Sequence, residues 1–507
     1  MTNLYARLST RFPQDRDQTF ARLADGARVS YADLDDRSAR YAGLLRDLGL
    51  APGDRVAVQA EKSIEMLMLY LGALRAGAAF LPLNTAYTAG ELDYFIGDAE
   101  PALIVCDPKR QAAIRQIARR RGRAKVLTLD AAGEGSIASQ ARQAAPIEQT
   151  LELDDAALAA ILYTSGTTGR SKGAMLSHGN LASNAFTLAD SWRFTSDDVL
   201  LHALPIFHTH GLFVATNVTL AAGASMIFQA GFDPVALRQA LPEATVLMGV
   251  PTFYIRLLKD AAFTREATAH MRLFISGSAP LSPEIHKAFE QRTGHAILER
   301  YGMTETNMNT SNPYDGARRP GTVGRPLPGV DIRIADPETG AEMPIGEVGV
   351  IQIRGPNVFQ GYWRMPDKTA AEFRDGYFIS GDLGFIDAEG YVSIVGRAKD
   401  LIISGGYNIY PAEVENALDA LPEVRESAVV GAPHPDMGEG VVAVVVPTDP
   451  GFIDDQRLRT QLGDQLARFK QPRRFVFVDQ LPKNTMGKVQ KVLLRDQLAD
   501  SFQSATN

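Results

Sequence analysis

The chain has little of the chemistry that marks disulfide-rich, metal-cluster and membrane proteins. Cys106 is the only cysteine among its 507 residues, so no disulfide can form within the chain and no site with several cysteine ligands can bind a metal. No run of about 18 or more uninterrupted apolar residues occurs, which argues against a transmembrane helix. The first residues, MTNLYARLSTRFPQDRD, lack the continuous apolar segment of a secretory signal. We therefore expect a reduced, cytoplasmic protein.

The chain also lacks an excess of positive charge. It contains 52 Lys and Arg residues against 59 Asp and Glu residues, a formal net charge of −7 at pH 7. Such a protein has no general attraction for phosphate backbones or anionic lipid, so we expect neither a nucleic-acid partner nor a membrane partner. An anionic small molecule would need basic groups gathered at one place.

What the sequence does contain is an alternation of short apolar segments and amphipathic helices. Residues 55–60 predict a strand, 63–75 a helix that ends at Gly77, 79–83 a strand and 89–96 a helix. Strands that alternate with helices indicate parallel α/β layers. The fold class is therefore α/β.

The length and a change in texture indicate more than one domain. A chain of 507 residues exceeds the roughly 250–300 at which a single core stops growing. From Gly321 onward the segments are short, β-rich and interrupted by Gly and Pro. We predict a large N-terminal domain over residues 1–396 with parallel layers and a β-rich part, a boundary at 397–400, and a small α+β domain at 401–507. The Ala-, Gly- and Ser-rich residues 130–149 predict a mobile surface connection.

The strongest local signal is YTSGTTGRSKG at residues 163–173, which follows an apolar, strand-like run. Glycine and small hydroxyl residues let backbone amides converge on a phosphate, and Lys172 adds a positive charge. The spacing is not that of a Walker P-loop. An ordinary surface loop is the alternative, but the combination favours phosphate binding. The residues concerned are Thr164, Ser165, Gly166, Thr167, Thr168, Gly169 and Lys172.

Six further motifs follow in order. They are LPIFHTHG at 204–211, SGSAP at 276–280, ERYGMTETN at 299–307, SGD at 380–382, GRAKDLIISGGYNIYPAEVE at 396–415 and PKNTMGKVQK at 482–491. Over almost its whole length the chain resembles the adenylate-forming acyl-CoA synthetases, the AMP-binding superfamily. The resemblance implies that ATP activates a carboxylic acid as an acyl-adenylate and that coenzyme A takes the acyl group. It also implies that a small C-terminal domain swings over a large N-terminal domain.

Several residues become candidates for the nucleotide side of such a site. The Glu305 carboxylate suits a hard cation, and the resemblance assigns Mg²⁺ to Glu305 with help from Thr164. Asp382 can accept hydrogen bonds from both ribose hydroxyls, and Arg397 adds a second contact to the sugar. Ordinary turn, cap and ion-pair roles are the alternatives. The other ATP-binding residues that the resemblance implies are Ser278, Ala279, Glu299, Arg300, Tyr301 and Thr304.

Two catalytic steps require two arrangements. The resemblance makes Lys488 the adenylation lysine, whose ammonium would stabilise charge that grows on the phosphoryl oxygens; a solvated lysine is the alternative. The thiol needs the space that Lys488 occupies, so the C-terminal domain must rotate, about a hinge at Lys399. The residues expected to line the coenzyme A path are Ser404, Gly405, Gly406 and Tyr407.

The choice of acid depends on arginine. In the family His208 lines the acyl and thiol side of the pocket, where Ser278 also lies. A dicarboxylate would bury a second charge, which is costly unless a cation pairs with it; Arg256 and Arg300 are the candidates, with structural ion pairs as the alternative. The motifs are most similar to the malonyl-CoA synthetase branch, which implies malonate and, in some members, methylmalonate. A ligase for another acyl or aryl acid and a separate carrier protein as acceptor remain open, whereas the intact Lys488, Glu305 and Asp382 argue against a nucleotide-binding pseudoenzyme.

Overall fold

Four β-sheets organise the part of the chain that the structure, a computed structural model, describes. The described residues are 2–122, 124–164, 171–405, 407–449, 454–463, 465–484 and 487–502. Within them, no helix combines the length and the apolar surface that crossing a bilayer requires.

The strands and helices of the described residues are numbered in chain order. The strands are β1 (Thr19–Leu23), β2 (Arg28–Ser30), β3 (Arg55–Gln59), β4 (Ala79–Pro82), β5 (Leu103–Cys106), β6 (Lys125–Thr128), β7 (Leu158–Thr164), β8 (Lys172–Ser177), β9 (Val199–His202), β10 (Ser225–Phe228), β11 (Val246–Gly249), β12 (Leu273–Ser276), β13 (Leu298–Met303), β14 (Asn307–Ser311), β15 (Arg325–Pro326), β16 (Asp331–Ala335), β17 (Gly349–Arg354), β18 (Phe373–Arg374), β19 (Tyr377–Ile386), β20 (Val392–Arg397), β21 (Ile402–Ser404), β22 (Tyr407–Ile409), β23 (Val424–His434), β24 (Gly438–Pro447) and β25 (Arg474–Phe477). The α-helices are α1 (Leu4–Ser9), α2 (Tyr31–Asp47), α3 (Ile64–Ala76), α4 (Ala89–Ala99), α5 (Gln111–Arg121), α6 (Ser136–Gln143), α7 (His178–Ser191), α8 (Asn217–Ala221), α9 (Pro234–Ala240), α10 (Pro251–Leu258), α11 (Arg265–Thr268), α12 (Pro283–Thr293), α13 (Pro366–Ala371), α14 (Pro411–Asp419), α15 (Asp455–Gly463) and α16 (Lys491–Gln497). Short 3₁₀ turns occur at Pro108–Arg110, Leu241–Glu243 and Ala398–Asp400, and a π-helical turn at His210–Thr216.

Two large sheets form the N-terminal part and confirm the predicted parallel α/β layers. One has the strand order β6-β5-β3-β4-β7-β8, in which only β8 pairs antiparallel. The other has the order β15-β14-β13-β12-β11-β9-β10-β1-β2. Helix α3 is buried along almost its whole length and belongs to the apolar core that the two sheets share. An all-round apolar helix of this kind fits only between layers.

The N-terminal helices begin and end where local chemistry predicts. Ser30 caps α2 in a capping box with Asp33, and Ser63 caps α3. Gly77 ends α3 in the left-handed conformation, with φ +76°.

The prediction of a mobile surface connection at residues 130–149 is wrong in part. Helix α6 lies within it, and Ile137, Ala138 and Ala141 of this helix are buried. These residues recur at helical spacing and pack toward α2. The side chains of this segment are mostly small, so the apolar periodicity that predicts a helix is weak there. Small side chains nevertheless suit close packing of one helix on another.

The β-rich part and the C-terminal part contain sheets that are largely antiparallel, as predicted. Strands β16 to β20 form one sheet, in which β19 pairs with β17, β18 and β20. Strands β21 to β25 form the other, and only β25 pairs in parallel. The C-terminal sheet has its own apolar core with α14 and α15.

Candidate active site

Loops at the carboxyl ends of the parallel strands β9, β11, β12 and β13 converge with β19, β20 and the turn before α16. Ligands of open α/β sheets bind at this end of the strands. The C-terminal turn lies close to the N-terminal part: a Cβ placed on Gly487 would lie 3.4 Å from Cγ2 of Thr252 in α10. The site is therefore composite, with residues from both parts of the chain.

A carboxylate and its two donors form the first group of site residues, which we call the Asp382 cluster: Asp382, Tyr301 and Arg397. The Tyr301 hydroxyl donates to Oδ2 of Asp382 at 2.5 Å, and Nε of Arg397 lies 2.7 Å from Oδ1. The pairing of β19 with β20 places Asp382 directly opposite Arg397. Asp382 and Tyr301 are buried, and burial together with the Asp382 charge raises the pKa of Tyr301. Three predicted nucleotide residues thus lie together.

Glu305 lies in the turn between β13 and β14 and is buried. Its Oε1 accepts a hydrogen bond from the Tyr362 hydroxyl at 3.1 Å, and burial raises its pKa. Thr304 precedes it in the same turn. A desolvated carboxylate with a single side-chain donor fits a hard cation. No group of three or more His, Cys, Asp or Glu in the described chain could hold a metal, so Mg²⁺ here would take most of its ligands from phosphate and water, as Mg²⁺ usually does.

The predicted phosphate loop is described only at its two ends. Thr164 ends β7, and its hydroxyl donates to the carbonyl of Lys172 at 3.4 Å. Nζ of Lys172 lies 3.2 Å from Glu372 and 4.1 Å from the centroid of the Tyr362 ring. Lys172 and Glu305 therefore share Tyr362. The predicted residues Ser165, Gly166, Thr167, Thr168 and Gly169 lie outside the described residues.

Two histidines and an arginine form the second group, which we call the basic pocket: His208, His210 and Arg300. The backbone N–H of His210 donates to Nδ1 of His208 at 3.3 Å, so the His208 proton is on Nε2. Burial, followed by the charges of Lys488 and Arg300, lowers the pKa of His208 to about 3. Burial and the Arg300 charge also lower the pKa of His210. Both histidines are therefore neutral near pH 7.

Ser278 and Ala279 lie in the loop after β12. The Ser278 side-chain oxygen is 3.2 Å from Nδ1 of His210, so Ser278 meets the basic pocket. Its backbone φ of +72° is left-handed, which non-glycine residues rarely adopt and which is found at functional sites. Ala279 is partly exposed beside it.

Arg300 is a buried cation without an anion. Its Nε and Nη2 have no hydrogen-bond partner, and among the described residues no carboxylate pairs with it. The guanidinium covers Gly277, where a Cβ would come within 2.5 Å of Cζ. Burial lowers the pKa of Arg300 to about 9, which leaves it charged at pH 7. Thr209 and Ser276 also carry buried, unpartnered hydroxyls near this pocket. Buried polar groups in proteins normally have partners, so the pocket is built for a polar ligand.

Glu299, which precedes Arg300 in β13, is a buried carboxyl with one hydrogen-bond partner. Oε1 of Glu299 accepts from the backbone N–H of Leu281 at 3.2 Å, and its Oε2 is buried without a partner. Burial raises the pKa of Glu299 to about 8. This carboxyl is therefore mostly protonated near pH 7 and offers a hydrogen rather than a full negative charge.

Arg256, the other arginine candidate, is exposed. Its guanidinium lies 5.8 Å from the centroid of the Phe232 ring. It follows Thr252 by one turn of α10, so both project from the same side of the helix. Since Gly487 approaches Thr252, Arg256 lies at the border of the site, where solvent screens its charge.

Lys488 is the point at which the two groups meet. Its ammonium feels the charges of Arg397, Asp382 and Glu305, and also that of Arg300. The surrounding protein and the Arg397 cation lower the pKa of Lys488, although its side chain remains open to solvent. The structure therefore brings the predicted lysine close to both the Asp382 cluster and the basic pocket.

The predicted hinge and the predicted coenzyme A residues lie between residues 397 and 407. Nη1 of Arg495 in α16 donates to the Lys399 carbonyl at 3.0 Å, and its Nη2 lies 2.7 Å from Oδ1 of Asp400. Ser404 is buried, whereas Tyr407 is exposed and stacks on Phe469. Gly405 has a left-handed φ of +59°, and Gly406 lies outside the described residues. The contacts of the described residues do not link Tyr407 to the basic pocket in this arrangement.

Sequence reasoning did not single out Tyr362, His210, Thr252 or the Asp382–Tyr301 hydrogen bond. His210 belongs to the quoted motif HTHG, so its pairing with His208 could have been noticed. Tyr362 lies in an ordinary-looking segment, and only the fold carries it to Glu305 and Lys172.

Comparison with known proteins places the whole site in context. The model for AMP-binding enzymes matches residues 8–363, and the model for the C-terminal domain of these enzymes matches 413–488. A feruloyl-CoA synthase from Amycolatopsis is 38% identical over 92% of this chain and 93% of its own. The malonate–CoA ligase of Arabidopsis thaliana is 34% identical over 94% of this chain and 85% of its own.

A solved structure is still more similar. ATP-bound MatB from Rhodopseudomonas palustris is 58% identical over 99% of this chain and 100% of its own, with a TM-score of 0.97. The apo form of MatB, at the same 58% identity, has a TM-score of 0.86. The arrangement described above therefore matches the ATP-bound form more closely than the apo form.

Proposed function

The chain belongs to the AMP-binding enzymes and is an ATP-dependent acid–CoA ligase, and on that basis we propose that the acid it activates is malonate. Malonate is converted to malonyl-adenylate with release of pyrophosphate, and coenzyme A then takes the malonyl group with release of AMP. Methylmalonate, which differs by one methyl group, is the expected second substrate.

The observation that carries this proposal is the unpaired guanidinium of Arg300. Burial of an isolated charge costs several kcal/mol even after relaxation. An acid with an uncharged distal group would leave the Arg300 guanidinium unpaired and would not offset this cost. A distal carboxylate would relieve it and could accept two hydrogen bonds from the guanidinium. The relatives named feruloyl-CoA synthase and malonate–CoA ligase match this chain to similar extents, so identity to these two relatives does not choose between a neutral and an anionic tail.

The reacting carboxylate of the acid would face an uncharged hydrogen-bond donor, His208. Because His208 is uncharged and carries its proton on Nε2, it can donate to a carboxylate oxygen. We assign it to orient the reacting carboxylate. Ser278 and Arg300 bound the same pocket, and Arg256 adds a screened positive charge at its border.

In the first reaction an oxygen of the reacting carboxylate attacks the α-phosphorus of ATP. The bond from this phosphorus to the bridging oxygen breaks, and pyrophosphate leaves. We assign the Lys488 ammonium to stabilise the charge that develops on the phosphoryl oxygens. Asp382, with Tyr301 and Arg397, would hold the ribose, while Lys172 and the loop from Thr164 would hold the phosphates.

Glu305, assisted by Thr164, would hold Mg²⁺, which when bound neutralises phosphate charge. Ala279, Glu299 and Thr304 complete the residues that we assign to the nucleotide. Glu299, with its raised pKa, can offer a hydrogen-bond donor in place of a negative charge.

In the second reaction the coenzyme A sulfur attacks the acyl carbon, the bond from this carbon to the AMP oxygen breaks, and the thiol proton is released. Lys488 stands beside the basic pocket in the present arrangement, so a rotation near Lys399 would have to withdraw it first. Ser404, Gly405, Gly406 and Tyr407 are the residues that we assign to the thiol path after this rotation.

Pyrophosphate release measured with acetate, propionate, malonate, methylmalonate, succinate and benzoate tests the proposal. Malonate is expected to have the highest kcat/KM, with acetate lower by as much as about 10⁴, because sites built around a polar group reject analogues that lack its partner. A maximum at benzoate or propionate would overturn the choice of acid and leave the ligase chemistry intact.

A further inference from the structure

Lys62 is a half-buried lysine behind the basic pocket that the reaction above does not use, and burial lowers the pKa of its amino group. It precedes the cap of α3, and its Nζ lies 2.9 Å from the carbonyl oxygen and 3.1 Å from Nδ1 of His202. The Phe228 ring lies beneath it, with its centroid 4.3 Å from Nζ. Among the described residues no carboxylate pairs with this ammonium. Lys62 therefore sits on the carboxyl ends of β9 and β10, where the chain leaves the sheet for the basic pocket.

The contacts of His202 define which ring nitrogen carries the proton. Its Nε2 lies 3.0 Å from the carbonyl oxygen of Gly211, and a carbonyl oxygen can only accept a hydrogen bond. The proton is therefore on Nε2, so Nδ1 is an acceptor. Lys62 supplies the donor that Nδ1 needs, and the result is a continuous chain from the Lys62 ammonium through His202 to Gly211.

Gly211 belongs to the π-helical turn that forms the wall of the basic pocket. Its carbonyl also accepts from the Thr216 hydroxyl at 3.0 Å, and a Cβ on Gly211 would come within 2.0 Å of the Pro205 carbonyl oxygen. Gly211 therefore packs closely against Pro205. Single π-helical turns within helices occur frequently at functional sites.

The same turn places the two histidines of the basic pocket. His210 is its first residue, and the backbone N–H of Leu212 donates to the carbonyl of His208 at 3.0 Å. A displacement of Gly211 would move both rings relative to Arg300, which belongs to β13 and is held independently of the turn.

We propose that Lys62 is a positioning residue for the acid: through His202 it anchors the Gly211 carbonyl and so sets His208 and His210 opposite Arg300. The inference rests on the proposed function in that the basic pocket binds the acid. It does not require that the acid be malonate. Since Lys62 lies behind the pocket wall, its loss would affect binding of the acid rather than binding of ATP.

Kinetics of Lys62→Met and Lys62→Arg test the proposal, with Lys287→Met, at an exposed position of α12, as the matched control. We expect Lys62→Met to raise KM for malonate about 10-fold, as the loss of a hydrogen bond to a buried group does, while KM for ATP stays within about 2-fold. Lys62→Arg, which keeps charge and donors, should recover most of the loss. Equal rises in both KM values, or no rise in either, would overturn the proposal. If Lys62→Met does not fold, Lys62→Ser, whose side chain is too short to reach Nδ1 of His202, takes its place.

A second measurement does not depend on the identity of the acid. Nitrogen-15 NMR of histidine-labelled enzyme, with His202 assigned from a His202→Gln variant, is expected to show the Nε2–H form for His202 in the wild type. The Lys62 variant that lacks the ammonium should shift His202 toward a mixture of forms. An Nδ1–H form in the wild type, or an unchanged His202 signal in the variant, would sink the proposal. If another acid proves to be preferred, the KM comparison is made with that acid.

Discussion

The two halves of the site differ in how far their polar groups are already satisfied. In the Asp382 cluster, the carboxylate receives the Tyr301 hydroxyl at 2.5 Å and Nε of Arg397 at 2.7 Å. In the basic pocket, Arg300 and His210 retain buried nitrogens without partners. One half is preorganised by its own contacts, and the other half is completed only by a ligand.

This difference indicates where selectivity arises. A group that is already hydrogen-bonded gains moderately from one more contact, whereas a buried, unpaired charge gains much from an anion and is penalised by an apolar tail. We therefore expect the nucleotide half to contribute affinity and the basic pocket to choose the acid.

The largest effect is expected from a substitution of Lys488, which lies near both halves of the site. Lys488→Ala is expected to lower the rate of adenylate formation about 10³-fold, because one charge-stabilising contact at a reacting phosphate is lost. Thioester formation from supplied malonyl-adenylate should be nearly unchanged. Stopped-flow measurement of the two half-reactions separates them, with Lys483→Ala in the same motif as the control. Equal loss in both halves would remove Lys488 from its assigned role.

The basic pocket can be altered alone. Arg300→Met is expected to lower kcat/KM for malonate about 10²-fold, because the distal carboxylate would lose its paired charge, and to lower that for propionate much less. Arg300→Lys, which keeps the charge but not the planar fork, should fall between. Steady-state pyrophosphate release with both acids gives the ratio. A parallel fall for malonate and propionate would show that Arg300 does not recognise the distal carboxylate.

The nucleotide half can be altered with less effect. Tyr301→Phe removes the hydroxyl that donates to Asp382, and we expect KM for ATP to rise about 5- to 10-fold, as for the loss of one hydrogen bond to a charged group. KM for malonate should be unchanged, which steady-state titration of each substrate can establish. A larger effect on malonate than on ATP would contradict the division between the two halves.

The smallest effect is expected from a substitution of Arg256, at the border of the site. Arg256→Ala should lower kcat/KM for malonate about 3-fold, since solvent screens an exposed cation, and that for propionate less. Raising the salt concentration should reduce the difference between variant and wild type. An equal effect on both acids would leave Arg256 with a purely structural role.

Sequence reasoning predicted the layers of the fold better than their junctions. Residues 55–60 and 89–96 were predicted from periodicity and caps, and β3 and α4 lie there. Helix α1 and the hairpin of β1 and β2 were not predicted, because they are short and gain their stability from packing on distant parts of the chain. Local pattern does not report such contacts.

The site shows the same limit. Motifs marked Asp382, Lys488 and Glu305, and the structure brings their charges together. The domain boundaries and the individual roles of these residues stay predictions. No motif could show that Arg300 lacks a partner while Arg256 is exposed, since both are arginines beside apolar segments. That distinction depends on which carboxylates the fold carries near each one.

The close approach of Gly487 to Thr252 limits which substitutions can change the acid that this enzyme prefers. Helix α10, which carries Thr252 and the acid-site candidate Arg256, is also the surface that the turn bearing Lys488 approaches. A bulkier side chain at position 252 that excluded larger acids would also push this turn outward. Adenylate formation would then be slower with every acid. New preferences should therefore emerge more readily at Arg300 or around Gly211 than on this side of α10.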